Sequence, residues 1–356
     1  MASDRCPDCS DSTGSFDPRP AVAVQNGRRS FLRTAAAGAA ALALSPSLLR
    51  AEDKPTQADA ETLVQQLYGS LKEEQKKEVC FAYDDPLRLK VDNNWHIVKK
   101  TIADFYTKDQ QSLIKEIFMK LHNPEYAQRV YDQVDHDSED IGGFNACAVA
   151  LFGTPALSSK AGQAGESKFE FVFTGRHVTR RCDGNSVEGA AFGGPIFYGH
   201  ASKSFNEKAD HAGNIYWYQG LRANDVYKAL SGKQQELALR TDARPERGTE
   251  TVKLAGKTGV KHGVPLSELS SDQKDLVRKV LADVLAPFRK ADADEAMKHI
   301  DAAGIDQLHM AFYKNMDIGN DGVWDVWQLE GPNSLWYFRG APHVHTWVNI
   351  REPEKA

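Results

Sequence analysis

The chain contains few cysteines, and the motifs that identify many soluble enzymes are absent from it. Five cysteines in 356 residues cannot form a dense disulfide framework, which excludes a small disulfide-stapled scaffold. The formal net charge is only −5, which argues against general binding to nucleic acid or to anionic membranes. No Gly-x-Ser-x-Gly, His-Glu-x-x-His, Walker or dinucleotide-binding pattern occurs. Hydrolysis by a serine nucleophile is therefore not expected.

Long apolar runs are also missing, apart from one near the N-terminus. That run, Thr34 to Leu49, is short and rich in alanine for a membrane span. It follows the paired arginines Arg28 and Arg29 and leads to the small residue Ala51. This order predicts a twin-arginine signal peptide over residues 1–51 that is removed after export. An uncleaved membrane anchor is the alternative.

The signal peptide has consequences for location and partners. We expect a periplasmic or extracellular protein that uses the twin-arginine export machinery, with no stable membrane span and no nucleic-acid partner. Cys6 and Cys9 should leave with the signal, so the mature chain keeps three cysteines and forms one disulfide at most. This route carries prefolded proteins, often with a cofactor already inserted, which favours a bound metal.

Residues 52–356 predict a single α+β domain. Helix starts are indicated by four capping-box patterns: Ser70-Leu71-Lys72-Glu73, Thr107-Lys108-Asp109-Gln110, Ser231-Gly232-Lys233-Gln234 and Ser270-Ser271-Asp272-Gln273. Their spacing is too irregular for a solenoid, and whether they mark an internal repeat stays open. Strand patterns occur between the helices without a regular βαβ rhythm. We therefore expect a mixed, mainly antiparallel sheet with packed amphipathic helices. The Gly-, Lys- and Arg-rich stretch Arg244 to Val264 predicts a long surface excursion.

The most informative stretch lies near the C-terminus, where a strand pattern contains His343 and His345. Side chains two apart on an extended segment point to the same face, so both imidazoles can reach one point. Aromatic and β-branched neighbours such as Trp336, Phe338 and Trp347 favour a half-buried strand. The pair is typical of two metal ligands, and two hydrogen-bonded sheet histidines are the alternative.

His177 is the third candidate ligand. It follows the alternating run Phe169, Phe171, Phe173 and Gly175, which predicts that it ends an aromatic stripe on the buried face of a strand. His200 follows a Gly- and Pro-rich segment and is a further candidate ligand. A core histidine bonded to a backbone carbonyl, or one used only in packing, is the alternative for each.

Together these residues predict a three-histidine site with an open position, suited to a divalent transition metal (Zn, Cu or Fe). Glu330, Asp325 or Asp183 would support the imidazoles, with Glu330 also a possible base. Arg176 or Arg339 would orient an anionic group of a small-molecule substrate, unless each forms a structural salt bridge. The leading hypothesis is a metal-dependent oxidoreductase or hydrolase. The alternatives are a non-enzymatic protein that binds a metal or a small ligand, and histidines that are purely structural.

The sequence also resembles a family of exported bacterial proteins catalogued as a domain of unknown function. The resemblance covers most of residues 60–350. It is carried by Thr174-Gly175-Arg176-His177, the Phe192-Gly193-Gly194-Pro195 turn, the helix near Ser231, and the Gly331-Pro332 hairpin that leads to His343-x-His345. Arg176 stands where many members carry a second histidine. The resemblance implies a shared export route and a shared site, and it implies no particular activity.

Overall fold

A computed structural model describes residues 59–155, 168–184, 186–200, 215–315, 317, 322–340 and 343–354. The predicted signal peptide therefore lies outside the described residues. The helices are α1 (Ala60–Ser70), α2 (Glu73–Val79), α3 (Ile102–Phe105), α4 (Lys108–Lys120), α5 (Pro124–Asp137), α6 (Trp217–Ala229), α7 (Gly232–Ala238), α8 (Ser271–Leu285) and α9 (Lys290–Ala303). The strands are β1 (Cys80–Phe81), β2 (Ala148–Gly153), β3 (Phe169–Gly175), β4 (Val178–Cys182), β5 (Ile196–His200), β6 (Leu239–Arg240), β7 (Val264–Pro265), β8 (His309–Tyr313), β9 (Val326–Glu330), β10 (Ser334–Arg339) and β11 (Val344–Ile350).

All these strands join one sheet. Successive strands pair in the same pattern whether the sheet is followed inwards from β1 or from β6. The order is β1-β2-β3-β4-β5-β11-β10-β9-β8-β6, with β7 paired to β8. The outer pairs β1–β2 and β6–β8 are parallel, and the other pairs are antiparallel. The expected α+β class, with a mixed and mainly antiparallel sheet, is confirmed. A sheet that is palindromic in this way indicates two similar halves related by an approximate two-fold axis.

The register locates that axis at the centre of the sheet. If β1 is matched to β6, each pairing in the first half has an equivalent pairing in the second half. Carried inwards strand by strand, this matching makes Ile196 in β5 the counterpart of Val348 in β11. These two residues pair directly with each other. On the helical side, residues just before α5 and α9 make reciprocal backbone bonds: the Asn123 amide donates to Pro287, and the Arg289 amide donates to Leu121. Both layers thus have the same approximate symmetry.

The capping sites also occur twice in each half, in matching pairs. Boxes form at Thr107, Ser231 and Ser270 as predicted. The predicted box at Ser70 does not form: α2 starts two residues later, where Gln75 accepts from the Lys72 amide and the lysine side chain cannot complete the box. The amides of Gln75 and Gln110 bond to each other in one half. Those of Gln234 and Gln273 do the same in the other half. Each pair joins two helix starts, because the same glutamines also cap their own helices.

The two faces of the sheet are covered by different kinds of structure. Helices pack on one face, where Phe118 of α4 contacts Phe173 and Tyr227 of α6 contacts Phe312. Irregular segments cover the other face. One contributes Val91 and another contributes Val252 to a buried cluster that also contains Trp347. The prediction that Arg244 to Val264 is a surface excursion is therefore wrong for its first half. We call residues 243–256 the second strap and residues 83–100 the first strap.

Two further predictions concern the cysteines and the membrane. Cys80, Cys147 and Cys182 are free thiols, so no disulfide joins them. Among the helices of the described ranges, none combines the length and the apolar character that crossing a membrane requires.

Candidate metal centre

His343 and His345 lie at the start of β11, the strand of the second half that lies at the centre of the sheet. Val344 opens the strand, and His345 pairs with Arg339 on one side and Gly199 on the other. Because the chain is extended here, both imidazoles point to the same side, and their Nε2 atoms are 2.8 Å apart. The predicted convergence of this pair is confirmed.

His177 reaches the same point from the turn between β3 and β4. Its Nε2 is 3.1 Å from that of His343, and its ring centre is 5.0 Å from that of His345. The prediction that His177 ends a strand is wrong, because it occupies the turn with a φ of +52°. Such a left-handed backbone turns the side chain out of the strand alternation and into the group.

The three imidazoles form a buried group of potential ligands. Their ligand nitrogens all lie within 4.8 Å of one another. His177, His343 and His345 are 3%, 5% and 1% exposed. We call these three residues the imidazole group.

Two carboxylates hold the outer nitrogens of the imidazole group. Asp137, the last residue of α5, places Oδ2 3.1 Å from Nδ1 of His177. Glu246 of the second strap places Oε2 2.6 Å from Nδ1 of His345. An ionised carboxylate only accepts hydrogen bonds, so Nδ1 of His177 carries the proton and its Nε2 keeps its lone pair. Nδ1 of His345 lies between the Glu246 carboxylate, which accepts, and the Arg339 guanidinium, which donates. His343 can donate its own Nε2 proton to only one of its two neighbours. A single cation between the three nitrogens would accept all three lone pairs.

The electrostatic environment keeps the imidazoles neutral, which is the form that binds metals. Burial lowers the pKa of His177 to about 3, with further lowering from His200 and Arg339. Burial likewise lowers the pKa of His345 to about 3, with Arg339 adding to the effect. The pKa of His343 lies far below the ordinary histidine value because of burial and its two imidazole neighbours.

Arg339 lies beside the imidazole group, and Glu246 compensates its charge. Its Nε bonds to Oε1 of Glu246, and its guanidinium also contacts His345. Burial alone would raise the pKa of Glu246, but His345 and Arg339 outweigh it and hold that pKa well below the ordinary value. Glu246 is therefore an anion shared between an arginine and an imidazole, and a bare cationic guanidinium does not face the group.

The family of the chain can now be stated. A family model described as "Protein of unknown function (DUF3500)" matches residues 53–355. The chain belongs to this family. Neither the curated proteins nor the solved structures gave a match. The description of the family gives no activity, so any function for this member must be argued from its geometry.

Arg176 and Glu330, two residues singled out from the sequence, have partners outside the imidazole group. Arg176 donates to Asp140 at 2.8 Å and to the carbonyl of Asp137 at 2.7 Å. Glu330 accepts from Arg244 at 2.7 Å and lies four ladder positions along the sheet from Arg339. Catalytic roles for these two and for Arg339 remain predictions.

His200 and Asp183, also named from the sequence, likewise lie outside the imidazole group. His200 pairs with Val344 in the ladder, so it lies on the opposite face of the sheet from His345. It is nevertheless close enough to lower the pKa of His177. Asp183 accepts from the Val187 amide at 2.8 Å. Among the described residues, the group that could hold a metal contains His177, His343 and His345. A ligand role for His200 stays a prediction.

Sequence reasoning missed Asp137 and Glu246. They lie 40 and 99 positions from the histidines they contact. Neither has a local pattern that distinguishes it from other acidic residues. Asp137 ends an amphipathic helix, and Glu246 lies in a charged stretch that suggested exposure. Only the tertiary fold relates them to the imidazoles.

Proposed function

We propose that the imidazole group binds one divalent transition metal ion and that the protein is a metal-dependent enzyme. The observation that carries this proposal is the convergence of three Nε2 atoms whose Nδ1 partners include two carboxylates. Ligating histidines commonly donate their outer N–H to a carboxylate, which fixes the ring and raises its basicity. Hydrogen-bonded sheet histidines alone would not need two separate elements, α5 and the second strap, to orient them.

The spacing of the nitrogens supports a tetrahedral site. Metal–nitrogen bonds of about 2.0–2.1 Å at tetrahedral angles place ligand nitrogens roughly 3.3 Å apart. The separations of 2.8 and 3.1 Å from His343 to His345 and to His177 are close to this value. Expansion by a few tenths of an ångström would accommodate an ion.

The number of ligands supports catalysis over storage. Three protein ligands leave a coordination position for water or substrate, whereas structural zinc sites are usually closed by four. Because all three ligands are neutral nitrogens, the site suits Zn²⁺, Cu²⁺ or Fe²⁺. Zn²⁺ would supply hydrolytic chemistry, and copper or iron would supply redox chemistry. A non-enzymatic metal-binding protein is the second candidate, favoured by the near-complete burial of the group.

Metal analysis of the natively produced, untagged protein tests the proposal. We expect about one equivalent of metal in the wild type and none in the double variant His343→Ala/His345→Ala. His299→Gln is the matched control, since it replaces another buried histidine outside the imidazole group. A folded wild type that holds no metal, even after incubation with Zn²⁺, Cu²⁺ and Fe²⁺, would refute it. The identity of the ion then decides between hydrolase and oxidoreductase assays.

We also propose that the protein is exported by the twin-arginine route and acts in the periplasm or outside the cell. The support is the order of Arg28, Arg29, the apolar run and Ala51. Arg28→Lys/Arg29→Lys should retain the precursor in the cytoplasm, and N-terminal sequencing of the wild type should begin near Glu52. Cytoplasmic accumulation of the wild type would contradict this proposal.

A further inference from the structure

The approximate two-fold axis relates the imidazole group to a second place on the molecule. Thr174 pairs with Thr179 across the β3–β4 turn, and Glu330 pairs with Leu335 across the β9–β10 turn. The register therefore makes His177 the counterpart of Asn333, and both turns begin with glycine. Likewise α5, which ends at Asp137, corresponds to α9, which ends at Ala303.

A groove lies at the place that the symmetry relates to the imidazole group, beside Asn333, the counterpart of His177. Its volume is about 580 Å³, within the range of about 300–1,000 Å³ that is typical of small-molecule sites. Elements that correspond to those around the imidazole group contribute to its wall: the end of α9 with Ala302 and Ala303, and the β9–β10 turn with Pro332 and Asn333. The described residues that line it include no histidine, so they could not hold a metal in the way the imidazole group could.

The half-buried cationic side chain in the groove is Arg351, just after β11. Its backbone is fixed by Asn333, which accepts from the Arg351 amide and donates to its carbonyl. The guanidinium is half-buried, and within the described part of the chain it has no hydrogen-bond or ion-pair partner. Unlike Arg339 beside the imidazole group, Arg351 therefore lacks a carboxylate equivalent to Glu246.

Neighbouring charges leave a positive excess beside Arg351. Burial lowers its pKa, and Arg88 and Arg181 lower it further, with only Glu170 acting in the opposite direction. Glu170 is already bound by Arg88 at 2.7 Å and by Arg181 at 2.6 Å. Two guanidiniums thus share one carboxylate, and Arg351 adds a third positive charge near them.

Acidic residues also line the groove, but their contribution is weaker. Glu352 and Glu354 are exposed, so water and salt screen their charges. Lys257, which is also exposed, adds a positive charge on the strap side. A small anion against Arg351 would balance the buried charge excess and use the unpaired donors.

We propose that this groove is a second binding site, the metal-free counterpart of the imidazole group, and that it binds a small organic carboxylate through Arg351. The two symmetry-related places then share an architecture but recognise different chemistry. One binds a cation through three imidazoles, and the other binds an anion through a guanidinium. The proposal does not depend on the metal.

Calorimetric titration with succinate tests the proposal. The background is the full-length double variant His343→Ala/His345→Ala, which removes any metal that could bind the carboxylate. Succinate should bind at one site, and Arg351→Gln should weaken binding by about tenfold or more, because charge-assisted bonds are lost. Arg240→Gln, at the edge of the sheet, is the control and should bind as the parent does.

Uncharged succinamide provides a test on the parent protein that does not require a folded Arg351 variant. It should bind much more weakly than succinate. Equal binding of the two compounds, equal affinity in Arg351→Gln and its parent, or no binding of succinate would each overturn the proposal. Partial retention of binding in Arg351→Lys, which keeps the charge but loses the fork of donors, would support it.

Discussion

Glu246 provides the sharpest test of how the imidazole group is supported. Its carboxylate accepts from Nδ1 of His345 and also pairs with Arg339. Replacing it by glutamine keeps the shape but removes the negative charge that pairs with the imidazole of His345 and with Arg339. Loss of such a supporting carboxylate lowers metal affinity by about 10–100-fold. That range corresponds to about 1.4–2.7 kcal/mol of binding free energy.

The same change should also destabilise the fold. Arg339 is 6% exposed, and without Glu246 its charge would be buried without compensation. Breaking a buried pair by removing one partner costs about 3–5 kcal/mol. Stability and metal affinity must therefore be measured separately, by urea denaturation of the metal-free protein and by competition with a chelator of known affinity.

Glu330→Gln is the matched control for Glu246→Gln. Glu330 lies on the same face of the sheet and pairs with Arg244 of the same strap, but its bonds do not involve the imidazole group. We expect a similar loss of unfolding free energy and an unchanged metal affinity. If both variants lose metal affinity equally, or if Glu246→Gln loses none, the supporting role of Glu246 is refuted.

Three further predictions concern other parts of the molecule. Asp137→Asn should lower metal affinity by about tenfold or more, measured by the same chelator competition, because it removes the charged partner of an imidazole. Gly199→Ala should cost about 1–3 kcal/mol or more in urea denaturation, since its Cβ would lie 1.9 Å from the Val344 carbonyl oxygen, whereas Gly232→Ala, with open space around it, should be neutral or slightly stabilising. Burial keeps the pKa of His122 well below its ordinary value, so the native state binds fewer protons than the unfolded state below about pH 6.5. The free energy of unfolding should therefore fall with decreasing pH by about 1.4 kcal/mol per unit from this residue, and His122→Gln should flatten the slope by about one proton. An unaltered slope, an unchanged Asp137→Asn affinity, or equal effects of the two alanines would contradict the respective argument.

Local chemistry made much of the fold predictable. Capping boxes at Thr107, Ser231 and Ser270 determine helix starts through hydrogen bonds within four residues. Strand alternation correctly predicted that the His343 and His345 side chains lie on one side of the strand, because alternation depends only on the extended backbone of neighbouring residues. Predictions of this kind need no knowledge of the tertiary structure.

Predictions failed where distant contacts or unusual backbone conformations decide the outcome. His177 continues an alternating run in the sequence, but its left-handed backbone makes it a turn residue. The second strap is polar enough to suggest exposure, yet Val252 and the Arg244 and Glu246 ion pairs hold it on the sheet. The internal symmetry was detectable in principle, since paired glutamines recur 35 and 39 positions apart in the two halves. Its recognition required the strand order.

The direct pairing of Ile196 with its own counterpart Val348 has a consequence for how the two halves depend on each other. Each half ends its part of the sheet on an apolar strand whose hydrogen-bonding edge is satisfied only by the equivalent strand of the other half. A half-chain on its own would expose that edge, whose unpaired N–H and C=O groups can pair with a strand of another chain. Because a residue at this position pairs with its own counterpart, the exposed edge could pair with a second copy of the same half as well as with the native partner strand. The covalent link between the halves therefore favours pairing within one chain over pairing between two copies. It also allows the two symmetry-related places, the imidazole group and the groove at Arg351, to differ in ligand chemistry.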